Sequence, residues 1–394
     1  MRFPWLILLF IFIPFIALAQ NGIITGKVVQ EGTTKPIPRA SVFLSNSSVG
    51  SATAEDGTFT LSGIRPGQYT LVVTVLGYED YNKTVLVGRE PIKLNIEMVQ
   101  KPMMLREVVI SSEADFRKNY ETFRKEFIGS DLNAKNCVVM NPRILNLTYN
   151  PTKQVLHADA DEFLIVENRA LGYRIKFLLR DFTLDKLAGI TSYDGKRIFE
   201  DLPGTKSQKD KWHQNRENAY YGSAMHFYRS LHADKLAHEG FELRSYTRSL
   251  NLQRPDDETI HKKYKRFIEL RMRDSANRMV ELSKMSKYVN ESISKIPYQE
   301  FEVTSTVSEG LYSLHFPHFL YVIYKNKLEE VDFKDIYRDL NMTNYQISVI
   351  TLTNGPAVFD NNGIVVEGGP LYEGSWSKNR LSDELPVDYI PDKD

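Results

Sequence analysis

The sequence predicts two folded units behind an N-terminal leader: a small antiparallel β-sandwich, then a larger α+β region built mainly from antiparallel strands. Three observations carry this multidomain reading. Residues 20–99 divide into short runs of alternating apolar residues, separated by Gly, Pro and Asp-Gly turn signals. Residues 113–394 mix similar runs with stretches whose apolar residues recur at helical spacing. The chain has 394 residues, 42% of them hydrophobic and 25% charged, which is enough for more than one core and excludes a collagen, a disordered chain or a coiled-coil rod.

Residues 1–19 read as a signal peptide. Met1-Arg2 supplies one positive charge, Trp5 to Leu18 is almost wholly apolar, and Ala17-Leu18-Ala19 offers the small-x-small pattern of a cleavage site before Gln20. The competing reading, a retained anchor, is weakened by Pro14 and by a stretch shorter than the ~20 residues that span a bilayer. No later stretch is long and apolar enough to cross a membrane. The expected location is therefore outside the cytoplasm, in the periplasm or at the cell surface, including association with the outer membrane. A single cysteine, Cys137, excludes an intramolecular disulfide and a thiolate zinc cluster, in keeping with a bacterial envelope. Fifty basic against fifty acidic residues leave no basic excess, so nucleic acid is not an expected partner.

In residues 20–99 the expected strands are Ile23–Val29, Ala40–Leu44, Thr58–Leu61, Tyr69–Val75, Tyr81–Val87 and Ile92–Met98. Tyr69, Leu71, Val73 and Val75 alternate, so they face one side of a sheet. Asp56-Gly57 is a tight-turn dipeptide. The blocks Pro36 to Leu44, Ala54 to Phe59, Ile64 to Tyr69 and Leu76 to Glu79, in this order after Gly26 to Val29, resemble the carboxypeptidase regulatory-like domain, a transthyretin-like (Ig-like) β-sandwich. That resemblance implies an accessory module, and its starch-binding-like relatives keep carbohydrate binding in view. Fold alone does not assign chemistry.

Residues 100–112 read as a linker around Pro102, with exposed, protease-sensitive backbone at Lys101 and Met103. Its Leu105 to Ser111 segment is similar to one that precedes the plug and barrel of TonB-dependent outer-membrane transporters of Bacteroidetes. The remaining chain is too short for such a barrel. From residue 113 onward, Ser112 with Asp115 forms a helix cap, and Phe116, Tyr120, Phe123 and Phe127 make one helix face ended by Gly129. Strands are expected at Leu145–Tyr149, Val155–Ala158, Leu164–Glu167 and Tyr173–Leu179, then a helical region at Lys209–His238 broken at Gly222. Strands follow at Phe241–Tyr246, Phe267–Met272, Tyr312–Tyr324 and Gln346–Thr353, with a hairpin at Asn361-Asn362-Gly363. The blocks Glu167–Tyr173, Asn215–Ser223, Gly374–Ser377 and Leu385–Tyr389 look like the larger region of exported Bacteroidetes proteins that carry the same sandwich, a group with no assigned chemistry.

The search for chemistry is mostly negative. No histidine has Glu three residues later, and no His-Glu-x-x-His, Gly-x-Ser-x-Gly or phosphate-binding Gly-rich loop occurs. Three constellations remain. His157, Asp159 and Asp161 share one face of a strand and could hold a metal, or simply form its solvent side. His315 and His318 flank Phe316-Pro317 at a spacing that suits packing better than a metal. Glu217 and His226, with Tyr220, Tyr221 and Arg229, surround the Gly222 break and are the best acid–base candidates; helix-surface pairing explains them as well. Residues 244–278 carry ten basic and five acidic side chains, residues 367–394 seven acidic and three basic, so the two could face each other. No cofactor and no resident metal is expected. The expected role is an exported cell-envelope protein that binds an outer-membrane protein or a glycan. The alternatives are carbohydrate binding by the sandwich and an unrecognised hydrolase in the C-terminal region.

Overall fold

A computed structural model describes residues 21–101, 112–329, 337–339 and 341–392. The leader, and the linker from Pro102 to Ser111, lie outside the described residues.

Seven strands form the sandwich: β1 (Gly22–Gln30), β2 (Ser41–Leu44), β3 (Gly50–Ala52), β4 (Thr58–Ile64), β5 (Gly67–Thr74), β6 (Tyr81–Val87) and β7 (Ile92–Met98). They make two sheets, ordered β4-β1-β7 and β3-β2-β5-β6. Pairing is antiparallel except between β1 and β7, which run parallel from Ile24 beside Ile92 to Gln30 beside Met98. Tyr69, Leu71 and Val73 are buried between the sheets with Val42, Leu44, Phe59 and Ile96, and Val75 packs at the margin. The Asp56-Gly57 turn forms as expected: Gly57 takes φ +79°, and the Asp56 carboxylate accepts from the Thr58 N–H (3.0 Å) and hydroxyl (2.7 Å). β3 escapes the sequence pattern because Gly-Ser-Ala has no apolar alternation.

The C-terminal region opens with α1 (Glu113–Phe127) and α2 (Leu132–Lys135). The Ser112 hydroxyl accepts from the Asp115 N–H at 3.1 Å, and Phe123 and Phe127 drive into the core with rings 4.9 Å apart. A six-stranded sheet follows, built from β8 (Cys137–Val139), β9 (Leu145–Asn150), β10 (Val155–Ala160), β11 (Leu164–Asn168), β12 (Tyr173–Asp185) and β13 (Ile190–Asp201). The long β12 organises it: β13 runs along one edge, while β11 and β10 share the other. Next come α3 (Lys206–Tyr220) and α4 (Ala224–His232), separated by Gly222 at φ +84°. Each carries its own cap, Thr205 with Gln208 for α3 and Ser223 for α4.

β14 (Phe241–Leu250), α5 (Asp257–Glu269), α6 (Arg273–Ser283), β15 (Tyr288–Pro297), α7 (Glu300–Val303), β16 (Thr304–Ser308), β17 (Leu311–Leu314), β18 (Phe319–Leu328), β19 (Tyr345–Thr351), β20 (Ala357–Asp360), β21 (Val365–Glu367), β22 (Leu371–Gly374) and α8 (Ser375–Lys378) complete the chain. They form a five-stranded sheet, β15-β14-β18-β19-β22, and a four-stranded one, β16-β17-β20-β21. Two sequence expectations are corrected here. Phe267–Met272 is not a strand: Phe267 and Ile268 close α5, where Ile260, Tyr264, Phe267 and Ile268 recur at helical spacing behind an Asp256 cap. Tyr312–Tyr324 is two strands in different sheets, parted at Phe316-Pro317-His318, where His318 takes φ +61°. The expected hairpin at Asn361–Gly363 joins β20 and β21. The two oppositely charged stretches do meet, through Arg248, which grips both Glu373 oxygens at 2.8 and 2.6 Å.

The sandwich packs directly on the C-terminal region. Its β2–β3 turn lies parallel to β13: the Asn46 N–H donates to the Arg197 carbonyl at 2.7 Å, and the Phe199 N–H donates to the Ser47 carbonyl at 2.9 Å. On its other side the Val387 N–H donates to the Asn46 carbonyl at 2.7 Å, and Asp388 accepts from the Ser48 N–H at 2.8 Å. Val387, 3% exposed, is part of the sandwich core although it is 289 residues beyond Met98. Arg180 pairs with Asp80, and Phe43 meets Phe163 with ring centres 5.9 Å apart.

Val387→Ala should therefore cost roughly 2 kcal/mol, the order for removing buried methyl groups. Urea unfolding followed by fluorescence and by far-UV circular dichroism should show a lower midpoint in a single transition. A variant that loses nothing would show that the tail does not complete the sandwich.

A polar cleft in the C-terminal region

The candidate site begins with an irregular turn. Between β11 and β12, residues 169–172 leave the ladder, with Gly172 at φ +72°. Their carbonyls need donors from elsewhere. α3 supplies them from one face: Trp212 Nε1 donates to the Arg169 carbonyl (2.9 Å), Asn215 Nδ2 to Ala170 (2.7 Å) and Arg216 Nε to Leu171 (2.7 Å). Spacing of three and four residues brings these side chains to one side of a helix. The Arg216 guanidinium also lies 3.7 Å from the Tyr173 ring centre and binds Asp201 at 2.7 Å. The Trp212 ring rests on two glycines; a Cβ at Gly172 or Gly204 would approach it to 2.2 or 2.6 Å. At the far end of α3, Trp376 from α8 donates to the Gly222 carbonyl at 2.7 Å.

These contacts hold α3 along one wall of an open cleft of about 1590 Å³. The other walls are the α1–α2 end, the β11–β12 turn, the ends of β18 and β19, and α8 with the chain after it. The lining is charged and amide-rich. Its tryptophans are turned into the protein.

The sequence candidates fall in different places. His226 is buried, 2% exposed, and faces inward. Its Nδ1 accepts from the Gly222 N–H at 3.1 Å, so Nε2 carries the proton toward Glu239 at 3.2 Å. Burial lowers its pKa below the ordinary histidine value, against the pull of Glu239. Glu217 lies elsewhere, beside His213 (3.7 Å); His213 in turn meets Asp392 at 3.0 Å. These three are the one set of metal-competent atoms within 4.8 Å of one another among the described residues. Glu217 and His226 are thus not brought together as an acid–base pair. Tyr220 and Tyr221 stack around the His226 ring, and Arg229 binds backbone carbonyls. His157 and Asp159 do share the outer face of β10, but they bond to Thr183 and Asn146 respectively, while Asp161, past the strand end, meets Lys101. His315 is half-buried beside β17 and His318 is exposed in the break before β18. Burial raises the Cys137 thiol to about 12, which leaves it protonated.

One cleft feature has no signature in the sequence. Asp131, which caps α2, and Asp383 come together across 252 positions of chain, with Asn133 Nδ2 donating to Asp383 at 2.9 Å. Burial, then the neighbouring Asp131 charge, pushes Asp383 up to about 7. Only tertiary contact could reveal the pair.

Residues 24–110 match the family model of the CarboxypepD_reg-like domain. The sandwich is therefore of this type, and the match ends before α1. No curated protein matches the chain. Among solved structures, the pilus 2b backbone protein of group B streptococcus is 20% identical over 21% of this chain and 42% of its own, with TM-score 0.19. The present chain thus spans less than half the length of that protein. A Bacteroides uniformis protein described as carbohydrate binding is 8% identical over 46% of this chain and 80% of its own, TM-score 0.19. A Bacteroides fragilis protein described as membrane-associated is 10% identical over 86% and 94%, TM-score 0.18. No helix among the described residues is long and apolar enough to cross a membrane.

Two pH effects follow. Neutral His226 is the folded form, so its contribution is complete above pH about 6.5 and is lost as pH falls toward its lower folded pKa. His226→Ala should lower the melting temperature at pH 8 and flatten the decline between pH 7 and 5. Asp383 has the opposite sign: a raised folded pKa means stability is lost as pH rises through about 7. Asp383→Asn should stabilise at pH 8 by on the order of 1 kcal/mol, since Asp131 is exposed, and change little at pH 4. Thermal melts across this pH range check both.

Proposed function

We propose that this is an exported binding protein whose ligand surface is the cleft beside α3, with the sandwich as its rigid support. The carrying observation is the cleft itself. Its about 1590 Å³ exceeds the usual small-molecule pocket of ~300–1,000 Å³, and its walls are pinned by side-chain-to-backbone bonds rather than left to mobile loops. A space of that size and polarity suits a segment of a larger molecule, a glycan or an outer-membrane protein. The expected acid–base side chains support binding over catalysis, because His226 is committed to the α3–α4 junction and Glu217 to His213 on its own helix. The sandwich supports the same division of labour, since its β2–β3 turn is occupied by β13 and the tail.

A second reading, hydrolysis, rests on Asp131 and Asp383. Paired carboxylates that share a site, one with a raised pKa, are a known arrangement for activating water. The two readings separate experimentally. Asn218 is exposed on the cleft side of α3, so Asn218→Trp should fill the space without disturbing the fold. A glycan array and a binding assay against detergent-solubilised outer membrane should show ligand retention that this variant reduces at least tenfold (roughly 1.4 kcal/mol) at an unchanged melting temperature. Release of products from any retained glycan or peptide, abolished in Asp383→Asn, would replace the binding reading with the hydrolytic one.

A further inference from the structure

The charges of the cleft are not those of the chain. The whole sequence is formally neutral, yet the cleft lining carries eight Lys or Arg side chains against five Asp or Glu. The five acids are engaged within the protein. Glu167 is held by Arg174 at 2.8 Å and Arg169 at 3.3 Å, and the arginines keep its carboxyl below the usual range. Glu126 faces Arg380 at 4.0 Å, and Glu329 accepts from the Ser375 hydroxyl. Asp383 faces Asp131, and burial together with that neighbouring charge pushes its carboxyl up to about 7, while the Asp131 carboxylate caps α2. The lysines are different. Lys125 at the end of α1, Lys135 at the end of α2, Lys211 on α3 and Lys327 on β18 line the space from separate walls, and none has an acidic partner among the described residues. Lys327 reaches only the Asn218 carbonyl, at 3.4 Å.

Amides share the lining with these cations: Asn133, Asn136, Asn218, Gln208, Gln346 and Asn379. An amide donates and accepts at once, as a sugar hydroxyl does. A peptide groove would instead present apolar pockets or a free strand edge. Here Trp212 and Trp376 are turned away, their indole N–H groups already bonded to protein carbonyls.

We infer that the cleft takes an acidic polysaccharide, a hydroxyl-rich chain bearing regularly spaced carboxylate or sulfate groups that the four lysines meet from different walls. This rests on the cleft being the ligand surface. Binding of this kind weakens with salt, since exposed charges are screened within about 10 Å at 0.1 M.

The test uses the full mature protein and isothermal titration with three probes of similar length: oligogalacturonate, neutral malto-oligosaccharide and oligoglutamate. Oligogalacturonate should bind best and lose affinity from 50 to 300 mM NaCl. The double variant Lys211→Glu/Lys327→Glu should weaken it at least about tenfold, as two attractive exposed contacts become repulsive, while Lys83→Glu on the sandwich leaves it unchanged. If malto-oligosaccharide binds equally and the Lys211/Lys327 variant has no effect, the acidic-ligand inference fails while the cleft reading survives. Equal or tighter binding of oligoglutamate overturns the polysaccharide class. Loss of no binding in Asn218→Trp, with any probe that does bind, overturns the cleft reading beneath it.

Discussion

The Arg229 guanidinium holds the protein together where its parts meet. Nε donates to the Asn362 carbonyl at 2.8 Å, Nη1 to Tyr389 at 2.9 Å and Nη2 to Val387 at 2.8 Å. A planar fork spreads its five donors over three nitrogens in fixed directions, so it can meet three carbonyls that lie apart, where a lysine offers a single nitrogen. Those carbonyls belong to a hairpin turn and to an irregular tail, neither of which has a ladder to bond with. Fixing the tail fixes the sandwich in turn, because Val387 completes the sandwich core and its N–H bonds Asn46. The hairpin reaches the same surface, with Asn362 Nδ2 donating to the Gln68 carbonyl at 3.3 Å. One side chain of α4 thereby ties together the tail and the hairpin, both of which touch the sandwich.

The same device recurs at the cleft. Trp212, Asn215 and Arg216 bind three successive carbonyls of a turn that has left its sheet, as Arg229 binds those of the tail. In both places a helix stabilises irregular backbone by side chains, and the helix is positioned by what it stabilises. Irregular backbone is where a sheet protein can open a concave surface, and buried polar groups there must be paired. Rigid walls and a polar lining are consequences of the same bonds.

Titratable groups in this fold are mostly committed to structure. His226 bonds the backbone at the α3–α4 break; Asp360, pushed up to about 6 by burial, accepts from the Asn362 and Ile364 N–H groups and shapes the β20–β21 turn. Arg248 lies against the Tyr288 and Phe319 rings, 3.9 and 4.0 Å from their centres, while gripping Glu373. Lys125, Lys135, Lys211 and Lys327 differ, lining the cleft with no acidic partner among the described residues, and that contrast gives the cleft its distinct character.

Local signals were sufficient where local physics decides. Period-two alternation, the Asp56-Gly57 and Asn361-Asn362-Gly363 turns, the Ser112 cap and the Gly222 break each act within a few residues, and each sits where the sequence places it. Phe267–Met272 misled because Ile268, Leu270 and Met272 alternate with Glu269 and Arg271 as a strand would, whereas the helix that it closes is set by residues upstream. Glu217 and His226 are close in sequence and near the same break, but which way a side chain points from a helix end depends on what packs there. Asp131 with Asp383, Val387 with the sandwich, and the four lysines around one space join positions far apart in the chain. No sequence spacing encodes such meetings; only the packed structure, by burying some of these groups and leaving others facing a common void, decides them.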